Sequence, residues 1–265
     1  MRTSAARQAL RAGKPVIGTW LSLGNWQAAR WLARAGFDWL TVDLEHSPID
    51  WSDLAVLLGA IADAGCTALA RVPANRHELI KRALDAGAHG VVVPMVNSVE
   101  EARAAVAAAK YPPAGNRSVG GLLGSLNWDA TPKEYLAKAN EELLVILQCE
   151  HAQAVAQADQ IFAVPGIDGI FVGPNDLAHS LRAPDGTPPS ADTILRTQQT
   201  ILEACRRNHL PAGIHCFSAE EAKRRADEGW QLLAINSDLR FLLDGAAAAL
   251  KPFRVAAAAA GSAAY

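Results

Sequence analysis

The sequence has 265 residues, half of them hydrophobic and a fifth charged, which is enough apolar material for one large domain with a sizeable core. A formal net charge of −2 and the lack of any basic run argue against nucleic acid or an anionic membrane as partner. No stretch reaches the ~20 apolar residues needed to cross a bilayer, the start Met1–Gly13 lacks the apolar run of a signal peptide, and the four cysteines (Cys66, Cys149, Cys205, Cys216) show neither a C-x-x-C pair nor zinc-ligand spacing, so the sequence reads as cytoplasmic, with buried, reduced thiols.

In chain order, short β-branched runs alternate with amphipathic or alanine-rich stretches. A strand over Val16–Trp20 is followed by helical sequence over Asn25–Ala35. The same pairing repeats for Trp39–Asp43 with Trp51–Ala64, Ala68–Val72 with Asn75–Ala86, and Gly90–Pro94 with Ser98–Lys110. A Pro- and Gly-rich segment, Tyr111–Trp128, interrupts the pattern and is long enough to be functional, mobile or partly structural packing. Strands then read at Leu144–Cys149, Gly169–Gly173, Pro211–Cys216 and Leu232–Asn236, with a helix over Ser218–Glu228. Gly36, Gly65, Gly87 and Gly229 stand where left-handed helix ends are needed. Eight strands, each followed by helical sequence, predict a parallel α/β (β/α)8 TIM barrel over residues 1–254, with an alanine-rich, poorly ordered tail at 255–265. A doubly wound open sheet is the rival, but "TWLSLGN" is a poor phosphate loop after a first strand.

In such a barrel the chemistry sits at the C-terminal ends of the strands. The polar residues collect there: Asp43, Glu45 and His46 after the second strand, Arg71 at the third, and Gln148 and Glu150 at the fifth. Asn175 and Asp176 follow the sixth, and Asn236, Ser237 and Asp238 the eighth. Glu150 and Asp176 end adjacent strands. With no His or Cys partner in ligand spacing they suit a hard divalent cation such as Mg2+ or Mn2+, or else they serve as first-turn acids on helix dipoles. Arg71 ends an apolar strand and either clamps a carboxylate and an enolate oxygen or forms a rim ion pair. His46 is either a general base, directly or through water, or a surface-loop histidine. The seven lysines (Lys14, Lys81, Lys110, Lys133, Lys138, Lys223, Lys251) lie in helices or before strands, so none is placed to form an imine at the barrel mouth. His215 falls inside a strand and reads as a satisfied interior group, and no feature calls for NAD, flavin or PLP.

At these residues the chain resembles the HpcH/HpaI aldolase family. The matching stretches are "GFDWLTVDLEHSP", "RVP" with Arg71, "LDAGAHGVVVPMV", "KYPPAG" followed by Arg117, "QCE" and "DGIFVGPNDLA", in order from about Trp20 to about Leu239. The resemblance implies a (β/α)8 barrel assembled as a homo-hexamer, a dimer of trimers, with the last helix exchanged between subunits. It also implies reversible retro-aldol cleavage of a 4-hydroxy-2-oxo acid to pyruvate and an aldehyde, of the 4-hydroxy-2-oxoheptanedioate type found in aromatic-compound catabolism. By position, Glu150 and Asp176 resemble its pair for a divalent metal (Mg2+, Mn2+ or Co2+), His46 its catalytic base, and Arg71 its enolate-stabilising residue. Gln148, with the backbone at Asn175 and Asp176, resembles the pyruvate-binding set; Asp43, close to His46 in the loop, is a candidate supporting residue. Asp85 matches an aspartate that raises the basicity of the histidine. It ends a helix at the far face of its own barrel, so the expectation is that it reaches a neighbouring subunit's His46. The chain departs from the family at Ser118, where Gly-x-Arg-Gly is common, which bears on the aldehyde pocket, for which Leu21, Leu122, Leu123 and Leu239 are candidates from position. The competing readings are a citrate-lyase β or malyl-CoA lyase-type enzyme and a non-catalytic barrel scaffold.

Overall fold

The computed structural model of the protein describes residues 1–253; the expectation for the tail at 255–265 lies outside them. Eight parallel strands close into a barrel in chain order: β1 (Val16–Leu21), β2 (Trp39–Asp43), β3 (Thr67–Arg71), β4 (Gly90–Val93), β5 (Leu144–Gln148), β6 (Gly169–Val172), β7 (Ala212–Cys216) and β8 (Leu232–Ser237), with β8 pairing back to β1. The closed ring replaces the open-sheet alternative. Its strands are apolar runs because both faces are covered, one by helices and one by the barrel interior.

Alternation along each strand separates two cores. Outward residues such as Leu21, Leu40, Val42, Ala70, Val91, Leu147 and Val172 pack under the helices. Inward residues Val16, Trp20, Trp39, Leu69, Val92, Ile146, Phe171 and Ala234 fill the barrel. Trp39 and Phe171 fit because small residues oppose them. A Cβ on Gly18 would come within 2.1 Å of the Trp39 ring, and one on Gly213 within 2.7 Å of Phe171. The lower end is closed by a short helix, Ala5–Arg11, whose Ala6 and Leu10 join the barrel core. Its Arg7 donates to the Leu143 carbonyl at 2.5 Å and pairs with Asp168 at 2.7 Å.

The helix-to-strand joints behave as the glycines predict: Gly36, Gly65, Gly87 and Gly229 all have positive φ. The segment Tyr111–Trp128 is more ordered than a loop reading suggests. It contains a short helix, Leu123–Asn127, and Arg117 and Trp128 are both buried. The helix after β8, Asp238–Leu250, departs from the usual barrel pattern because Asp238 is its only buried residue. Leu242 and Leu243 face outward, as do Trp26 and Trp31 of the helix Trp26–Leu32. Among the described residues no helix is long and apolar enough to cross a membrane.

Candidate active site

The two-residue strand period places Trp20, Asp43, Arg71, Gln148 and His215 on the inner face at the C-terminal ends of their strands. With Ser22, His46, Phe171, Gly173, Pro174, Asn175, Asp176 and Ser237 they line a cavity of about 270 Å³.

On the β2–β3 side, Asp43 grips Arg71 bidentately, accepting from Nε at 2.8 Å and Nη2 at 2.6 Å. Arg71 Nη1 lies 3.2 Å from Glu45, and the guanidinium sits 4.6 Å above the Trp20 ring. Burial opposes ionisation of Asp43, but the Arg71 guanidinium and the backbone N–H groups of Glu45 and His46 outweigh it and hold the carboxyl below its ordinary range. Burial likewise lifts Glu45, helped by Asp43 and Asp176 and opposed by Arg71 and His46. Asp43 thus fixes the direction of the cation.

On the β5–β6 side, Glu150 is buried. Its Oε1 accepts from the Met95 N–H at 3.0 Å, and its Oε2 accepts from Gln148 Nε2 at 2.6 Å. Met95 is held at φ 53, a left-handed conformation that a non-glycine residue adopts only when its surroundings enforce it. Burial pushes the Glu150 carboxyl up to about 7, with Asp176 and Glu45 adding to the rise and the Met95 N–H and Arg71 resisting it. Gly173 leaves a gap at the point of convergence. A Cβ there would lie 2.5 Å from Glu150 Oε2, 3.4 Å from Asp176 Oδ2 and 3.6 Å from Gln148 Nε2. Gln148 is 1 % exposed, and its Oε1 has no hydrogen-bond partner among the described residues. Gly173 also precedes the helix Pro174–Ser180 without a side-chain cap, so the first-turn N–H groups are not capped by it.

These residues fit a hard divalent cation. Two carboxylates converge on a gap, Asp176 adds to the rise in the proton affinity of Glu150, and both stand beside an orphaned amide oxygen. No group of three or more His, Cys, Asp or Glu side chains suited to a metal occurs among the described residues. The donor set therefore resembles that of an ion that keeps water and substrate oxygens, unlike a closed zinc cage.

His46 lies at the open mouth, with Nε2 3.8 Å from Glu45. Asp85 is not in its own chain's cavity. It ends the helix His77–Asp85, and its Oδ1 accepts from Arg117 Nη2 at 2.7 Å. Arg117 is 1 % exposed and lies over Tyr111, with its guanidinium 4.5 Å from the ring centroid. Leu122 and Leu123 accompany this far end of the barrel, beside Asp85 and Gly87, and Leu21 faces the helix layer; neither they nor Leu239 line the cavity. The sequence reading did not single out Trp20 and took His215 as a satisfied interior group. Both have inward strand parity near a strand end, the same signal that singles out Arg71. No lysine lines the cavity, and the buried Lys110 instead donates to the Asn140 and Leu143 carbonyls.

Residues 16–244 match the family described as HpcH/HpaI aldolase/citrate lyase. Among the relatives, a 4-hydroxy-2-oxo-heptane-1,7-dioate aldolase of Salmonella newport is 38% identical over 95% of this chain and 95% of its own. A hydroxypyruvate/pyruvate aldolase of Paraburkholderia phytofirmans is 36% identical over 95% and 98%. The crystal structure of an HpcH/HpaI aldolase/citrate lyase family protein from Burkholderia cenocepacia matches 96% of this chain and 100% of its own, with a TM-score of 0.84 at 35% identity.

Proposed function

The chain belongs to the HpcH/HpaI aldolase/citrate lyase family and is a carbon–carbon lyase, and from that premise we propose that it is a class II aldolase cleaving 4-hydroxy-2-oxo acids, of the 4-hydroxy-2-oxoheptanedioate type, reversibly to pyruvate and an aldehyde. The observation that supports this most is the convergence of Glu150, Asp176 and Gln148 on the gap left by Gly173, in the cavity that Arg71 and His46 also line.

Glu150 and Asp176 would hold a divalent cation, Mg2+, Mn2+ or Co2+, and a bound cation supplies positive charge beside the oxygens of a 2-oxo acid, where an enolate forms. Gln148 and the backbone N–H groups of Asn175 and Asp176 bind the carboxylate end. Arg71, aimed by Asp43, donates to the keto oxygen as negative charge gathers on it. His46, through a water, takes the proton of the 4-hydroxyl. The C3–C4 bond then breaks, its electron pair stays with C3 as the enolate, and the aldehyde departs. Protonation at C3 yields pyruvate.

Asp85 acts in this reading on a neighbouring subunit's His46 and raises its basicity, within a homo-hexamer whose last helices are exchanged. The outward apolar face of Asp238–Leu250 supports that assembly. Four free, buried cysteines suit work in the reducing cytoplasm.

The test is pyruvate release from 4-hydroxy-2-oxo acids of graded chain length, after chelation and after return of each metal. Activity abolished by EDTA and restored by a divalent ion is expected, and the chain-length profile names the aldehyde. Turnover indifferent to chelation overturns the Glu150–Asp176 metal site. Failure of every substrate with metal present overturns the aldolase reading in favour of a citrate-lyase-type reaction.

A further inference from the structure

The cavity has three walls. Gln148, Gly173, Asn175 and Asp176 form one, and Asp43, His46 and Arg71 a second. The third comes from β7, β8 and β1: His215, Ser237, Ser22 and Trp20. No charged side chain and no carboxylate lines this third wall, and its polar groups are not equally free. Ser22 Oγ donates to Asp238 at 3.0 Å, Ser237 Oγ accepts from the Arg240 N–H at 3.3 Å, and the Trp20 ring face is covered by Arg71. His215 stacks edge-on to Phe217, with ring centroids 5.0 Å apart, and no hydrogen bond contributes to its titration. Burial and, secondarily, the charge of Arg71 push it down to about 4, so at neutral pH it is an uncharged imidazole with one donor and one acceptor.

Strand register locates it against the substrate. Phe171 pairs with Gly213 and Val172 with Ile214. The next step along both strands sets His215 beside Gly173, with the same inward parity. Gly173 is the gap on which Glu150, Asp176 and Gln148 converge. The imidazole therefore borders the place where the chelating end of a 2-oxo acid sits, and the first substrate atom beyond that end is C3. A methyl group at C3, as in pyruvate, gives the half-buried imidazole nothing to bond, whereas a hydroxyl there gives it a partner.

We propose that His215 is a specificity residue that selects donor 2-oxo acids carrying a hydroxyl on C3. The proposal rests on the aldolase reading above and concerns its synthetic direction. The donor loses a proton from C3, C3 bonds to the aldehyde carbon, and the aldehyde oxygen takes up a proton, with no change of redox state. His215 transfers no proton in this scheme and serves only as a hydrogen-bond partner of the C3 hydroxyl. One relative is named for both hydroxypyruvate and pyruvate.

The experiment measures kcat and KM for hydroxypyruvate and for pyruvate, with one common aldehyde and saturating Mn2+, in the wild type, H215L and H215Q. Wild type is expected to use hydroxypyruvate at least as well as pyruvate. H215L should lose about tenfold in kcat/KM for hydroxypyruvate, chiefly through KM, as loss of one hydrogen bond dictates, while pyruvate changes by less than about twofold. H215Q, which keeps a donor and an acceptor, should retain most of the preference. If H215L does not fold, H215A, which removes both ring nitrogens, is expected to show the same selective loss. Equal losses for both donors, an unchanged ratio, or a wild type that uses pyruvate but refuses hydroxypyruvate overturns the assignment. A wild type that joins neither donor to an aldehyde overturns the aldolase reading instead.

Discussion

Arg71 is held in place before any substrate arrives, by two hydrogen bonds to Asp43, an ion pair with Glu45 and the face of Trp20. Such preorganisation makes a donor valuable when charge develops, because nothing has to reorganise in the transition state. Arg71→Ala should therefore lower kcat by about 10²–10³ with a smaller change in KM, which steady-state kinetics will read. At Gly173 the same logic concerns space. Gly173→Ala puts a Cβ against Glu150 Oε2 and should weaken Mn2+ binding by at least about tenfold. Titration calorimetry measures this, and unaltered affinity would mean the gap is not the cation site. A third residue governs stability. His89 Nδ1 accepts from the Ala68 N–H at 3.1 Å while Nε2 lies 2.9 Å from the Asn127 carbonyl, an arrangement that needs the neutral ring. Burial pushes it down to about 4 against an ordinary value of 6.5. The unfolded chain therefore binds the proton first as pH falls, so this contribution is complete above about 6.5 and is lost on the way down through about 4. In His89→Gln, whose amide can make both bonds without titrating, the loss of unfolding free energy between pH 7 and pH 5 should shrink by about 2 kcal/mol. Denaturant midpoints at the two pH values supply the comparison.

Among the elements, the strands were legible because burial on both faces demands unbroken apolar runs, and their ends fall within a residue or two of the expected positions. Helices with a Ser or Thr cap and an acid three residues on, such as Val99–Ala109 behind Ser98, declare themselves locally. The helix Ala5–Arg11 does not. Seven residues cannot display a period, and its stability comes from sealing the barrel floor. Arg7→Ala should accordingly destabilise the fold by about 2–4 kcal/mol, and the thermal midpoint should drop by several degrees, because Asp168 is left nearly buried with only Lys110, at 3.7 Å, as a cation. The site divides in the same way. Glu150, Asp176, Arg71 and Gln148 could be read because polar residues closing apolar strands violate the core pattern. Glu45 and His215 gain their meaning from neighbours on other strands. The pairing of Asp85 with the buried Arg117 joins a helix end to a distant loop, and no local pattern encodes it.

For the whole molecule, the helix that should cover the end of the ring leaves its apolar side outward. A groove of about 1160 Å³ runs between it and the helix Trp26–Leu32, lined by Leu23, Trp26, Trp31, Leu32, Phe241 and Leu242. Trp31 is 77% exposed and Leu242 61%, so the groove presents a contiguous apolar patch of the kind that marks an interaction surface. If the hexamer reading holds, Leu242→Glu and Trp31→Glu will each move the mass seen by light scattering toward that of a monomer. A wild type already monomeric at micromolar concentration would remove the support for cross-subunit Asp85. The cysteines carry a different consequence of the closed barrel. All four are free and buried, and burial pushes Cys66, Cys149 and Cys216 up to about 12, and Cys205 higher still. A thiol reagent therefore finds neither access nor thiolate until the chain opens. The native protein carries four silent reporters spread from the third to the seventh strand. Timed alkylation would read which staves of the barrel part first, with Cys149, next to Glu150, registering whether added Mn2+ slows opening there.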